Sequence, residues 1–226
     1  MTQRNPKRPP FSVVILAGGR SLRMQSDKAF LVYRGSSFIS RIVAEASRVC
    51  ENILVVIGEK EKGKFEADLG KRARVVNDAH HPGSPLAGML TAFDLLKDGY
   101  AAVIACDTPL VKGEVLEALR DLAVSHSAAV PLWESGKIEP LCSVYHVGEA
   151  REASVKAIEA GRLKCRDMIS LLPDVNYVPV AGLRMIDPSL ESLINVNTPG
   201  DFSALERKQE TADASAGVPA DFPADE

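Results

Sequence analysis

No apolar run in the chain approaches the ~18 residues that a membrane-spanning helix requires. The opening MTQRNPKRPP leads into a short apolar segment instead of a cleavable signal, so a cytoplasmic protein is expected. Cations are not in excess either: 27 Lys and Arg against 30 Asp and Glu leave a formal charge of -3. That balance argues against a general nucleic-acid binder, which needs positive charge to displace counterions from a phosphate backbone. Cys50, Cys106, Cys142 and Cys165 form no C-x-x-C pair and have no His at ligand spacing, which argues against zinc. They read as separate small hydrophobes in a reducing compartment. Neither G-x-x-x-x-G-K-[ST] nor G-x-G-x-x-G occurs, so the two best-known phosphate loops are excluded by spacing. No Ser/His/Asp or Cys/His constellation for nucleophilic catalysis stands out.

What remains is ordinary for a globular protein: 46% hydrophobic and 25% charged residues over 226 positions. That length suits one α/β domain burying roughly 70% of its unfolded surface. Its informative centre is VVILAGGRSLRMQSDKAF, Val13 to Phe30. The β-branched run Val13–Leu16 reads as a strand buried on both faces of a parallel sheet. Gly18 and Gly19 remove two side chains where that strand ends, so backbone N–H groups can approach a ligand. Arg20, Arg23 and Lys28 follow on the loop at the carboxyl end of the strand, where open α/β sheets bind ligands. This is chemistry for a polyphosphate.

Further along, helical spacing over Phe38 to Ala46 and the apolar run Ile53–Ile57 predict a helix and a second strand joined by a right-handed crossover. A charged helix from Lys60 to Leu69 and a third strand near Arg74–Val76 complete a βαβαβ half. Asn77 and Asp78 follow that strand, with Asp78 the candidate for a second polar contact to the ligand. Pro82 to Pro85 turns the chain into a helix over Leu86 to Leu96, whose N-terminus faces the same rim. His80 and His81 fit adjacent solvated turn residues as well as they fit ligands. The strand Ala101–Ala105 ends in Cys106-Asp107-Thr108-Pro109, which holds a carboxylate on a stiff rim. Beside a polyphosphate that carboxylate calls for a bridging hard cation, Mg²⁺ being the natural one; as a helix cap it stands too far from the helix near Gly113. Glu139 to Tyr145 alternates and predicts an antiparallel strand added to the sheet. The expected fold is α/β, an open, mostly parallel Rossmann-like sheet with helices on both faces. Residues 1–10 read as a mobile lead, 11–208 as the domain, and 209–226 as a disordered acidic tail.

Several stretches together match one family. Leu16-Ala17-Gly18-Gly19, Ser21, Arg23-Met24 and Asp27-Lys28 fit L-A-G-G-x-S-x-R-M-G-x-D-K, with Gln25 in place of the last glycine. Ser84 to Gly88 fits G-P-L-A-G with Ser84 in place of the first glycine, Cys106-Asp107 and Pro109 fit C-D-x-P, and Glu139-Pro140-Leu141 fits [EQH]-P-L. Asn195 to Asp201 fits N-[VI]-N-T-P-x-[DE]. From Phe11 to Leu205 the chain therefore resembles the MobA-type nucleotidyltransferases that make the molybdenum cofactor dinucleotides. Where that family carries Asn after the second strand, this chain has Ile57-Gly58.

The resemblance implies a nucleotide-diphospho-sugar-transferase-like fold and Mg²⁺-dependent transfer of GMP from GTP to molybdopterin, releasing pyrophosphate. Arg23 and Lys28 would hold the phosphates, and Asp107 would carry the metal, these three forming the catalytic set. Leu16, Ala17, Gly18 and Gly19 would present the first loop to the nucleotide, with Pro85, Leu86 and Gly88 beside the base. Asn197 would close the site on the metal side, while Thr198 caps the helix that Pro199 opens; a plain turn role for Asn197 fits equally well. Glu139 to Leu141 would line the acceptor side. Cytidine-specific relatives tend to read L-A-A-G in the first loop, so Gly18 points to guanine on the reasoning that a missing methyl admits the larger purine. Other cofactor-biosynthesis proteins and molybdoenzyme apoproteins are implied as partners. A cytidylyltransferase or sugar-1-phosphate nucleotidyltransferase of the same fold, and a non-catalytic nucleotide-sensing module, are the alternatives. A phosphate monoester acceptor is already ionised and requires no general base, which accounts for the missing catalytic constellation.

Overall fold

In a computed structural model, residues 9–19, 27–80 and 83–216 are described, with side chains as far as Arg207. The organising strand is β1 (Phe11–Leu16), which pairs in parallel with β4 (Ile53–Ile57) on one side and β6 (Tyr100–Ala105) on the other. Its side chains alternate between two cores: Val13 and Ile15 enter one hydrophobic cluster, Val14 the other. An uninterrupted apolar run is the consequence of helices on both faces. Beyond β4 lies β5 (Arg74–Asn77), again parallel. β2 (Val32–Tyr33) and β3 (Ser36–Ser37) form a separate antiparallel pair.

The other half of the sheet contains the reversal. β8 (Cys142–His146) runs antiparallel to both β6 and β7 (Ala128–Leu132), and β9 (Val175–Pro179) is parallel to β7 at the edge, giving the order β5-β4-β1-β6-β8-β7-β9. The added antiparallel strand expected near Glu139 to Tyr145 is β8. β8 leaves β7 after Ala129, before Pro131, which has no N–H to offer a ladder. Six strands thus end on one rim, and β8 begins there.

On one face pack α1 (Phe38–Ser47), α2 (Lys62–Leu69), α4 (Gly113–Ala123) and the short α7 (Val180–Leu183). On the other pack α3 (Pro85–Leu96), α5 (Val147–Glu159) and α6 (Cys165–Ile169). The last helix, α8 (Pro199–Ala216), extends past residue 208, where the acidic tail was expected to begin. Its second half carries alanine at 212, 214 and 216, the residue of highest intrinsic helix propensity. No helix among the described residues is long and apolar enough to cross a membrane.

Two devices fasten the C-terminal segment to the rim. Val196 and Leu205 pack with Tyr33 and Phe38 in a small cluster of their own. Asp187, 1% exposed, accepts from Lys112 Nζ at 2.7 Å and from Ser192 N at 2.8 Å, while Lys112 N donates to Ser192 Oγ at 3.0 Å. Burial alone would raise the Asp187 carboxyl, but the bonds from Lys112 and Ser192 outweigh it and hold the group below its ordinary value. Asp187→Asn should therefore cost about 3 kcal/mol in folding stability at neutral pH, read by urea denaturation. Because the folded carboxyl titrates below its unfolded value of 3.8, this contribution is whole above that pH. It is lost as pH falls through the folded pKa, so the wild-type advantage should shrink below about pH 4.

Candidate active site

Three sequence-distant stretches meet where β1, β6 and the segment before α8 reach the rim. Asp27 opens a 3-10 turn, Lys28–Phe30, with its Oδ1 accepting from Ala29 N at 3.2 Å. That cap presents Lys28, whose Nζ donates to Asn197 Oδ1 at 2.8 Å and stands 3.9 Å from Asp107 Oδ2. Val196 N donates to the Asp107 carbonyl at 2.8 Å, so main chain as well as side chain joins the second and third stretches. Lys28 is 14% exposed and Asp107 22%, which places the pair at the floor of the rim.

Asp107 carries the least comfortable atom of the site. Its Oδ1 is buried and has no hydrogen-bond partner among the described residues. Burial raises the carboxyl above its ordinary value, and Lys28 only partly counters this. Buried carboxylate oxygens are costly unless bonded, so the orphaned Oδ1 calls for a cation or donor brought by a ligand. No cluster of three or more His, Cys, Asp or Glu able to hold a metal is present among the described residues. A hard cation with one protein carboxylate, waters and substrate phosphates fits that donor set, since Mg²⁺ rarely uses an all-protein cage. Asp107 does not cap α4: Lys112 takes the cap position, and Gly113 N is met by Glu45 Oε2 of α1 at 3.0 Å.

At the third stretch, Thr198 Oγ1 accepts from Asp201 N at 3.2 Å, and Asp201 Oδ2 accepts from Thr198 N and Asn197 N at 2.8 and 2.9 Å. This reciprocal cap at the start of α8 fixes the backbone of Asn197. Its side chain is engaged by Lys28.

The glycines of the first loop do different work. A Cβ on Gly18 would lie 2.9 Å from Gly58 N, and one on Gly58 would lie 2.8 Å from Gly18 O, whereas a Cβ on Gly19 would meet nothing within 4 Å. The methyl missing at position 18 makes room for the loop after β4. Ala17 is fully buried, with its N–H donating to Val56 O at 2.8 Å, and Leu16 packs over Gly88, whose Cβ would come 3.3 Å from Leu16 Cδ2. Arg23, with Arg20 and Gln25, lies outside the described residues.

On the flank, Asp78 Oδ1 accepts from Thr91 Oγ1 at 2.6 Å and from His80 N at 3.1 Å. Ser84 caps α3 by accepting from Ala87 N at 3.2 Å, leaving Pro85 exposed at the first turn. Leu86 is fully buried with Val14, Leu54 and Val56, so its side chain belongs to the core and only its backbone can reach a ligand. Gly88 lies between Leu16 and Asp78. His80 is committed elsewhere, its Nε2 2.9 Å from Asp94 Oδ2, with Arg151 on the other Asp94 oxygen. Glu139 is also spent: Trp133 Nε1 and Lys137 Nζ both reach its Oε1 at 2.7 Å, bracing the hairpin between β7 and β8.

Lys60 was missed from sequence. Its Nζ lies 2.7 Å from Asp27 Oδ1. The available signal was a cation three residues beyond the end of β4, on the same rim as Lys28. The glycine contact can be tested now: Gly58→Ala should destabilise the fold by about 1–3 kcal/mol through overpacking, whereas Gly19→Ala should stay within about 0.5 kcal/mol. Parallel denaturation curves of the two variants measure both.

Comparison with known proteins agrees with this geometry. Residues 13–172 match the MobA-like NTP transferase domain family. The chain is 31% identical over 201 residues to a probable molybdenum cofactor guanylyltransferase of Methanosarcina acetivorans, covering 86% of this chain and 89% of the relative. It is 34% identical over 198 residues to a probable molybdenum cofactor guanylyltransferase of Methanothermobacter thermautotrophicus, covering 84% and 96%. Among solved structures, molybdopterin-guanine dinucleotide biosynthesis protein A from Archaeoglobus fulgidus superposes with a TM-score of 0.73 at 29% identity, covering 90% of this chain and 99% of that one. A rim where Lys28, Asp107 and Asn197 converge, on a chain matched this far along its length, identifies it as a nucleotidyltransferase belonging to the MobA-like NTP transferase family.

Proposed function

We propose that the protein transfers GMP from GTP to molybdopterin in a Mg²⁺-dependent reaction, forming the guanine dinucleotide and releasing pyrophosphate. The observation that carries the reading is the buried Asp107 Oδ1, without a hydrogen-bond partner among the described residues, beside the Lys28 ammonium. The relatives' names supply the guanylyl donor and the molybdenum cofactor acceptor. Asp107 would hold the cation, which when bound neutralises phosphate charge.

The chain's own groups then have a limited task. The acceptor phosphate is an anion and attacks without a base, so the protein has to align two anions and balance their charge. Lys28, fixed by the Asp27 cap and by Asn197, would offer its ammonium to the phosphates. Gly19, with open space where its side chain would be, lets the backbone approach the nucleotide. Arg23 would add a second cation from the loop. Asp78 and the first turn of α3 at Pro85 and Gly88 would face the base, and Asn197 would close the metal side.

Turnover of GTP and molybdopterin, followed as pyrophosphate release, tests the reading, with CTP as competitor. GTP-selective, Mg²⁺-dependent release is expected. CTP preference would move the assignment to a cytidylyl donor, and nucleotide binding without release would leave a sensing module. Asp107→Asn should lower kcat/KM on the order of 10²- to 10³-fold or more. Since burial already disfavours its charge, the same change should leave Tm equal to or above wild type, measured by thermal unfolding.

A further inference from the structure

The rim carries a second carboxylate, and nothing in the reaction uses it. Asp27 lies next in sequence to Lys28 and caps the turn that presents it, yet its negative charge would oppose a polyphosphate. Lys60 answers that charge from a different element. A tight turn after β4, with Lys60 N donating to Gly58 O at 2.8 Å, brings the lysine back over the rim. Its ammonium stands 2.7 Å from Asp27 Oδ1 and 5.9 Å from the centre of the Phe65 ring.

Lys60 differs from the lysines that follow it on α2. Its side chain is 17% exposed, against 46% for Lys62 and 67% for Lys64, which pair outward with Glu66 and Glu61. Lysines are seldom that covered without a partner that matters. One oxygen, Asp27 Oδ1, takes both the Lys60 ammonium and the Ala29 N–H, so ion pair and cap share an atom. Asp27 is next in the chain to Lys28, whose Nζ stands 3.9 Å from Asp107 Oδ2, so the Lys60–Asp27 pair adjoins the Lys28–Asp107 pair.

We propose that Lys60 is a positioning residue for nucleotide binding, which neutralises Asp27 so that the carboxylate can cap the Lys28 turn without repelling the incoming polyphosphate. Lys60 acts through Asp27 and does not itself contact phosphate. The inference rests on the reading of this rim as a triphosphate site but is independent of which base is bound.

Four proteins decide it: Lys60→Met, Lys60→Arg, Asp27→Asn and the double variant Lys60→Met/Asp27→Asn. Affinities for Mg²⁺ complexes of GTP, CTP and inorganic triphosphate are measured by calorimetry, with thermal unfolding of each variant alongside. Lys60→Met should weaken the wild type's best ligand about 10-fold or more, because it strands a partly buried anion beside the phosphates. Lys60→Arg keeps the charge and should stay within about 3-fold. The double variant should regain affinity to within about 3-fold of wild type, since Asn still caps the turn but carries no charge. A double variant as weak as Lys60→Met would mean direct phosphate contact by Lys60 and would overturn the proposal, as would a Lys60→Met protein that binds like wild type. If wild type prefers CTP, the guanine assignment fails while the Lys60 comparison proceeds on CTP. If wild type binds none of the three, both readings fall.

Discussion

Placing Asp107 at the end of β6 sets the terms for the rest of the rim. Its Oδ1 is removed from water without a hydrogen-bond partner among the described residues, and burial resists its ionisation. Such a group is tolerated only where the surrounding structure over-determines it. Here the over-determination is visible. Cys106 N is bonded to Leu16 O at 3.0 Å, Thr108 Oγ1 to Ala105 O at 2.7 Å, and the Asp107 carbonyl receives Val196 N at 2.8 Å. Backbone held on both sides leaves the side chain little freedom to rotate out to solvent. The energy withheld from the folded protein is then available as affinity for a cation.

The same reasoning explains why a segment so late in the chain belongs to the site. Lys28 and Asn197 are 169 positions apart, and a contact of that separation forms only if other contacts bear the loop-closure cost. The Lys112–Asp187–Ser192 network and the small cluster around Val196 and Leu205 do so. The network lies away from the site, whereas the cluster reaches it through Val196, whose N–H donates to the Asp107 carbonyl. Packing and buried polar bonding thus determine the position, and the single bond from Lys28 to Asn197 only registers it.

Much of this was legible in sequence because single-residue rules sufficed. The runs Val13–Leu16, Ile53–Ile57 and Ala101–Ala105 are apolar on both faces, which only a covered parallel sheet explains. The turn ending at Pro85 and the cap Thr198 before Pro199 marked two helix starts, and the structure adds Ser84 and Asp201 as capping partners. Pairwise facts were hidden. β7 carries Pro131 and three alanine or valine residues with no period to read, and β9 is a short, half-exposed edge. β2 and β3 have two residues each. Leu86 looked like part of a ligand motif because its neighbours are, but its side chain obeys the helix period and points into the core.

Gly18 and Gly58 show the limit most clearly. Read alone, a glycine after a strand invites a ligand, and a glycine replacing a family asparagine reads as the loss of a contact. In three dimensions each is the reason for the other, because either Cβ would strike the opposing backbone at under 3 Å. With no side chain at position 18 or 58, the β4–α2 connection can approach the first loop closely enough for Lys60 to reach Asp27. The substitution that looked like a missing ligand contact is therefore the step that admits a cation. The two carboxylates of the rim, Asp27 and Asp107, are thereby each met by an ammonium.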